Sequence, residues 1–241
     1  MDRLIYTAMS GAERVLHAQQ VHANNLANAD TNGFRADYEL ASSSRVEGPG
    51  FDTRHMSRAQ VDLVALREGS VHTTGRELDV AIDGPGYLAV GSDSAPVYTR
   101  AGAMSVDADG RLLLHGREVL GDGGPIVLPE FSQLAIAADG TISVRAPDSA
   151  QMQPVDRLKL VDATGRHLVK NEAGLLVSAD GAPLETSDRV RVRGGALEGS
   201  NVRAVEEMVA VMDLSRQFEV QMKLFKAADS MADAGNRLVR D

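Results

Sequence analysis

Both ends of the chain are nearly free of glycine and proline, and the stretch between them is full of both. From Arg3 to Ala27 the only such residue is Gly11, and apolar side chains recur at helical spacing: Ile5, Ala8 or Met9, Ala12, Val15 or Leu16, then Leu26. The turn-forming cluster Asp30-Thr31-Asn32-Gly33 stops that helix near Asn28. From Val202 to Leu238 only Gly235 intervenes. There Met208, Val211, Ser215, Phe218, Met222, Phe225, Asp229 and Ala232 follow in alternating threes and fours, the spacing of a heptad seam weakened by Ser215 and Asp229. Gly199-Ser200-Asn201 ahead of it offers helix-capping chemistry.

The middle reads as β. Short alternating runs occur at Leu78–Ile82, Tyr87–Val90, Met104–Val106, Arg111–Leu114, Ile126–Leu128, Leu134–Ile136, Thr141–Val144, Leu158–Val161, Leu175–Val177 and Val190–Arg193. Turn signals such as Asp83-Gly84-Pro85-Gly86, Asp109-Gly110, Asp139-Gly140 and Asp180-Gly181 punctuate them. Ser42-Ser43-Ser44 and Gly48-Pro49-Gly50 suggest an extended connector before the first of these runs. The expected class is α+β, with long N- and C-terminal helices pairing as a coiled coil and a central, mostly antiparallel β domain. The expected boundaries are 1–32 for the first helix, 33–75 for the connector, 76–197 for the β domain and 198–241 for the second helix.

Composition narrows the function. Only 4% of residues are aromatic and none is Trp, so the core must come from Val, Leu, Ile, Met and Ala. A net charge of −9 argues against nucleic-acid binding, which favours a basic stripe. With no cysteine there are no disulfides, thiolate metal sites or thiol nucleophiles. No run approaches the roughly 20 apolar residues of a membrane span, so no direct membrane insertion is expected. Met1-Asp2-Arg3-Leu4-Ile5-Tyr6 lacks the basic start and apolar run of a secretory signal.

Catalytic signatures are weak. No two of His17, His22, His55, His72, His115 and His167 share the i, i+4 spacing of a metal pair. Gly84-Pro85-Gly86-Tyr87-Leu88-Ala89 fits a dinucleotide pattern, but a β run follows it where a helix is required. Asp107-Ala108-Asp109-Gly110 brings its Gly too early for a calcium loop and reads as a hairpin. The expectation is no enzyme, no cofactor and no metal.

The string Asn24-Asn25-Leu26-Ala27-Asn28-Ala29-Asp30-Thr31-Asn32-Gly33-Phe34 closely resembles the signature of the flagellar axial proteins, the rod and hook family. Arg76-Glu77-Leu78-Asp79-Val80-Ala81-Ile82-Asp83-Gly84 looks like that family's entry into its β domain, and Tyr98-Thr99-Arg100-Ala101-Gly102 like its next hairpin. Gly195-Ala196-Leu197-Glu198-Gly199-Ser200-Asn201-Val202, followed by Glu207-Met208, Arg216, Phe218-Glu219 and Gln221-Met222-Lys223, resembles its C-terminal helix. The opening Met1–Ala12 string and Val46-Glu47-Gly48 resemble the proximal-rod branch. Tyr87-Leu88 and Ala103-Met104 depart from it, standing where the family often carries Phe.

The resemblance implies a structural subunit of the bacterial flagellar basal body, self-assembling through its terminal helices to transmit torque. A distal-rod or hook-type axial protein is the alternative, as is a secreted β-domain binding module on a helical stalk. The implied partners are other proximal- and distal-rod subunits and the flagellar type III export apparatus, with no nucleic acid. The implied location is the periplasm-spanning rod, reached without a cleaved signal peptide. Subunit packing is expected from Leu26, Met208, Phe218, Met222 and Phe225. Asn24, Asn25, Leu26, Ala27, Asn28, Gly33 and Phe34 form the expected family signature, and the Asn24–Asn28 block is expected to satisfy backbone groups where the first helix ends.

Overall fold

A computed structural model describes residues 2–45, 55–92 and 95–238. Gly48-Pro49-Gly50 and Val46-Glu47-Gly48, singled out from the sequence, lie outside the described residues. The chain divides into two compact units: residues 1–29, 37–63 and 202–241 form one, and 30–36 with 64–201 form the other.

The first unit holds two helices, α1 (Asp2–Ala27) and α2 (Ala204–Leu238), close to the spans that helical periodicity predicts. Glu206 and Glu207 sit in the first turn of α2, where carboxylates favour the positive end of the helix dipole. The expected extended connector takes a different form. It contains strands β1 (Asp37–Arg45) and β2 (His55–Val64), which pair with each other, and then β3 (Val71–Thr73), which pairs with Ala196–Glu198 in the β unit. The Ser-rich β1 has half-buried Asp37, Glu39, Ser42 and Ser44, so strand periodicity is present there without an apolar signal.

In the β unit, strand β4 (Val80–Asp83) pairs antiparallel with Arg191–Gly194. The turn Asp83-Gly84-Pro85-Gly86 delivers the chain to β5 (Gly86–Ser92), which pairs with β6 (Ala95–Thr99) and with Leu160–Asp162. A strand after this turn rules out a phosphate-cradling helix start at Gly84–Gly86. The sheet continues from β6 through Leu176–Ser178 to Leu168–Lys170. Two three-stranded antiparallel sheets complete the main architecture, one built from Met104–Val106, Leu112–Leu114 and Arg117–Glu118, the other from Gln133–Ile136, Thr141–Arg145 and Gln153–Arg157. The expected strand Ile126–Leu128 forms only one bridge, Arg111 to Val127, although Ile126 and Leu128 are buried.

Strand β5 is covered on both faces. Because side chains alternate along a strand, Leu88 and Val90 join one apolar cluster with Val80, Met104, Leu112 and Leu158. Tyr87 and Ala89 point the other way, into a second cluster with Tyr98, Leu120, Val161 and Leu176. The Tyr98 hydroxyl accepts a hydrogen bond from the Leu184 amide at 2.7 Å, so the buried ring leaves no polar atom stranded.

Turns close these strands with side-chain hydrogen bonds as well as glycine. Thr141, Thr164 and Ser178 donate to Asp139, Asp162 and Asp180 and hold those carboxyls below their ordinary range. His115 (φ 49°) and Gly116 (φ 76°) form a two-residue loop whose left-handed conformation matches strand twist.

Leu88 is fully buried, so Leu88→Ala should reduce unfolding free energy by about 2–5 kcal/mol. Urea unfolding followed by tyrosine fluorescence should show a lower midpoint with an unchanged slope.

Candidate assembly site

The two helices contact each other, and each carries a column of covered residues. On α1 the column runs Ala8, Gly11, Val15, Ala18, His22 and Asn25, and none of these residues is exposed. On α2 it runs Ala204, Glu207, Val211, Leu214, Phe218, Gln221, Phe225, Ala228, Ala232 and Gly235, with Phe225 its most open member at 38%. Both columns advance by threes and fours.

The heptad spacing expected from sequence shares half its positions with the α2 column. Val211, Phe218, Phe225 and Ala232 lie on it. Met208, Ser215, Met222 and Asp229 do not; each lies one position beyond the seam residue and is exposed. On α1 the column takes Ala8 and Val15, and Gly11 in place of Ala12, leaving Met9 and Leu16 exposed.

Specific partners on α1 explain the two polar seam positions. His22 Nδ1 meets the carboxylate of Glu207, which is buried. Gln221 packs against Gly11, where an added Cβ would lie 3.3 Å from the amide nitrogen. These two contacts run the helices antiparallel. Where α1 is lean, with Ala8, Gly11 and Ala18, α2 presents Leu214, Phe218, Gln221 and Phe225.

The pair nonetheless covers little of its own apolar surface. Among the described helix residues, Val15, Ala18 and Ala228 are the buried apolar side chains. Tyr6, Met9, Leu16, Val205, Met208, Val209, Met212, Val220, Met222, Leu224 and Met231 are all between 39% and 70% exposed. A helix apolar on every side belongs in an interior.

At the end of α1 the signature residues take separate roles. Asn25 is fully buried; its Nδ2 donates to the Asp37 carbonyl (3.0 Å) and its Oδ1 accepts from the Asp37 amide (2.8 Å), so one side chain completes the backbone of the first β1 residue. Asn28 Nδ2 donates to the Asn24 carbonyl and Oδ1, closing the last turn. Leu26 is half-buried and Ala27 exposed.

Inside the β unit a charged cluster ties three distant segments together. Glu198, 1% exposed, accepts from Arg100 Nε at 2.6 Å and pairs with Arg35 Nη2 at 2.8 Å; both guanidiniums are 2% exposed. The remaining Arg100 nitrogens donate to the carbonyls of Ile82, Gly84 and Gly86, and Arg35 Nη1 donates to that of Arg67. Burial lowers the Arg35 pKa, opposed by Glu198 and reinforced by Arg100. Burial likewise raises the pKa of Tyr87, whose ring lies 5.9 Å from the Arg100 guanidinium.

Neighbouring contacts fasten the same segments. The Gly33 amide donates to the Glu198 carbonyl at 2.8 Å. Gly33 itself is obligatory: φ is +71°, and a Cβ there would lie 2.1 Å from the Ala101 nitrogen. Lys170 Nζ sits 3.9 Å from the half-buried Phe34 ring and donates to the Arg35 carbonyl. Asn201, expected to cap α2, instead accepts from the Ala36 amide (2.7 Å) and donates to the carbonyls of Ala65 (3.3 Å) and Arg67 (2.8 Å). Among the described residues no cluster of three or more His, Asp and Glu is placed to hold a metal, and no helix is long and apolar enough to cross a membrane.

This chain is 42% identical to the flagellar basal-body rod protein FlgF of Escherichia coli K12, over 99% of both chains. It belongs to the flagellar basal-body rod protein family. The FlgF of Salmonella typhimurium is 40% identical over the same share, and the rod protein FlgG of Borreliella burgdorferi is 28% identical over the full length of both. Three family models match: "Flagella basal body rod protein" over residues 5–35, "Flagellar hook protein FlgE/F/G D1 domain" over 81–144, and "Flagellar basal body rod FlgEFG protein C-terminal" over 193–238. As a member of the rod protein family the chain is a structural subunit and not an enzyme. Arg35, Arg100 and Glu198 come one from each matched segment, so the rod protein's three family regions converge on a single carboxylate.

Sequence reading names none of Arg35, Arg100, Glu198 or Asn201 as a site residue. All four lie within or directly beside the quoted family strings, but periodicity assigns charged and amide side chains to the surface. The available signal is Arg100 at the end of an otherwise apolar strand pattern.

Glu198→Gln removes the charge that two buried guanidiniums share and should cost about 3–5 kcal/mol of unfolding free energy, read from urea denaturation. At the helix seam, Gly11→Leu should force the pair apart and abolish its cooperative melt at 222 nm. Gly11→Ala should melt near the parent, because roughly 1 kcal/mol of helix propensity offsets a tight contact with flexible Gln221.

Proposed function

We propose that this chain is a proximal-rod subunit whose α1 and α2 pair as a coiled coil and pack, through the apolar surface left open, against the helices of neighbouring rod subunits. The observation that carries this reading is the exposed set on α2, where Val205, Met208, Val209, Met212, Val220 and Leu224 surround a seam that α1 covers on one side. Neighbouring helices would bury those faces and supply the stability that a seam with three buried apolar residues lacks. Met208, Met222 and Phe225 then contact neighbours directly, with the half-buried Leu26 at the end of α1, while Phe218 supports the pair from within.

Torque passes mechanically through these contacts, with no bond-making step. The relatives' names support rod assembly; the whole-length likeness to FlgF supports the proximal position. Delivery by the flagellar type III apparatus fits a cysteine-free chain whose helix pair is marginal before assembly, since such a chain threads a narrow channel without redox chemistry.

The test is a double substitution, Val209→Asp with Met212→Asp, in a flagellated bacterium lacking its own copy. Swimming should be lost, while the purified variant keeps the parent's circular dichroism and melting temperature. Normal swimming would sink the assembly face.

A further inference from the structure

We propose that the outward-facing methionines of the helix pair form a reversible oxidation site that decides whether a subunit can enter the rod; this rests on the assembly reading above. Met9, Met208, Met212, Met222 and Met231 are 50%, 46%, 54%, 39% and 50% exposed, against 0% for Met104 in the β core and 39% for Met152, the exposed methionine described in the β unit. Five of the chain's nine methionines thus present their thioethers on the surface through which subunits meet. The chain has no cysteine and no tryptophan, so no thiol or indole competes for an oxidant.

The chemistry needs only a hydroperoxide. The sulfur lone pair attacks the peroxide oxygen, an S–O bond forms and the O–O bond breaks. Sulfur loses two electrons, and with hydrogen peroxide the leaving oxygen departs as water. Reduction returns two electrons and two protons and releases water, the reaction of methionine sulfoxide reductases. A thioether is flexible and apolar, suited to packing against neighbours of differing shape; a sulfoxide is polar and resists burial without a hydrogen-bond donor. Once in the rod these sulfurs are covered, so the unassembled chain is the form exposed to attack. Met208 and Met212 lie one helical turn apart, so oxidation there spoils a continuous patch.

Two measurements test the proposal. Purified full-length protein treated with hydrogen peroxide should, by peptide mass mapping, gain one oxygen at each of the five helix methionines at least tenfold faster than at Met104. Cells lacking their own copy then receive the parent chain, a chain with Met208, Met212, Met222 and Met231 changed to Leu, or one with the same four changed to Gln as a polar mimic. Expression is induced under sublethal peroxide, and each strain is scored against its own untreated culture. The parent's swimming fraction should fall several-fold on treatment and the Leu strain's ratio should stay near one; the Gln strain should not swim even untreated. Equal peroxide ratios for parent and Leu strains, or oxidation of Met104 at the helix rate, would overturn the oxidation site alone. A Gln strain swimming like the parent would overturn the assembly face with it.

Discussion

The carboxylate of Glu198 is almost fully buried, with two guanidiniums against it. An isolated buried charge is costly, and this one is tolerated because Arg35 and Arg100 approach together while backbone carbonyls take the remaining Arg100 nitrogens and Arg35 Nη1. Arg35 follows the segment leaving α1, Arg100 ends a central strand, and Glu198 precedes the segment leading into α2. None of the three can leave without stranding charge in the others' surroundings. The arrangement favours one assembled geometry strongly, and fixes within the β unit the points where the chain enters and leaves. Gly33 and Asn201 tighten the same crossing, one by permitting a backbone approach that no Cβ allows, the other by spending its whole amide on three backbone groups.

The helices follow the opposite policy. Where the β unit buries most of the large apolar side chains of its strands, α1 and α2 leave many of theirs exposed. The division suits a structural subunit: one part carries its own apolar core, and the other leaves apolar surface uncovered. The polar seam positions fit this plan. His22 with Glu207 and Gly11 with Gln221 set register between the two helices at modest gain in stability, and the larger apolar side chains of α2 stay mostly exposed.

Much of this was legible in the residues. Helix spans followed from the absence of Gly and Pro and from the apolar period, and most core strands from alternation between turn signals. The seam misled because both readings of α2 alternate in threes and fours. Choosing the apolar members, Met208 and Met222, over their polar neighbours Glu207 and Gln221 gives the better hydrophobic column, yet the structure takes the polar ones, whose partners lie on another helix and cannot be seen in a local window. Strands β1 and β3 were missed because Ser-, His- and Thr-rich segments pair through backbone groups with little apolar signal. The Arg35–Glu198–Arg100 cluster was hidden for a related reason: a charge is buried only by virtue of the opposite charges that meet it, and the nearer of these is 98 positions away.

The unequal girth of the two helices has a consequence for how copies behave while they are still single. Two α2 helices laid face to face would set Phe218 against Phe225 and hold their backbones too far apart for the remaining side chains to mesh. Two α1 helices would leave hollows at Gly11 and Ala18. Slender against stout is the match the chain makes with its own two ends, where the Gly11 hollow takes the Gln221 side chain.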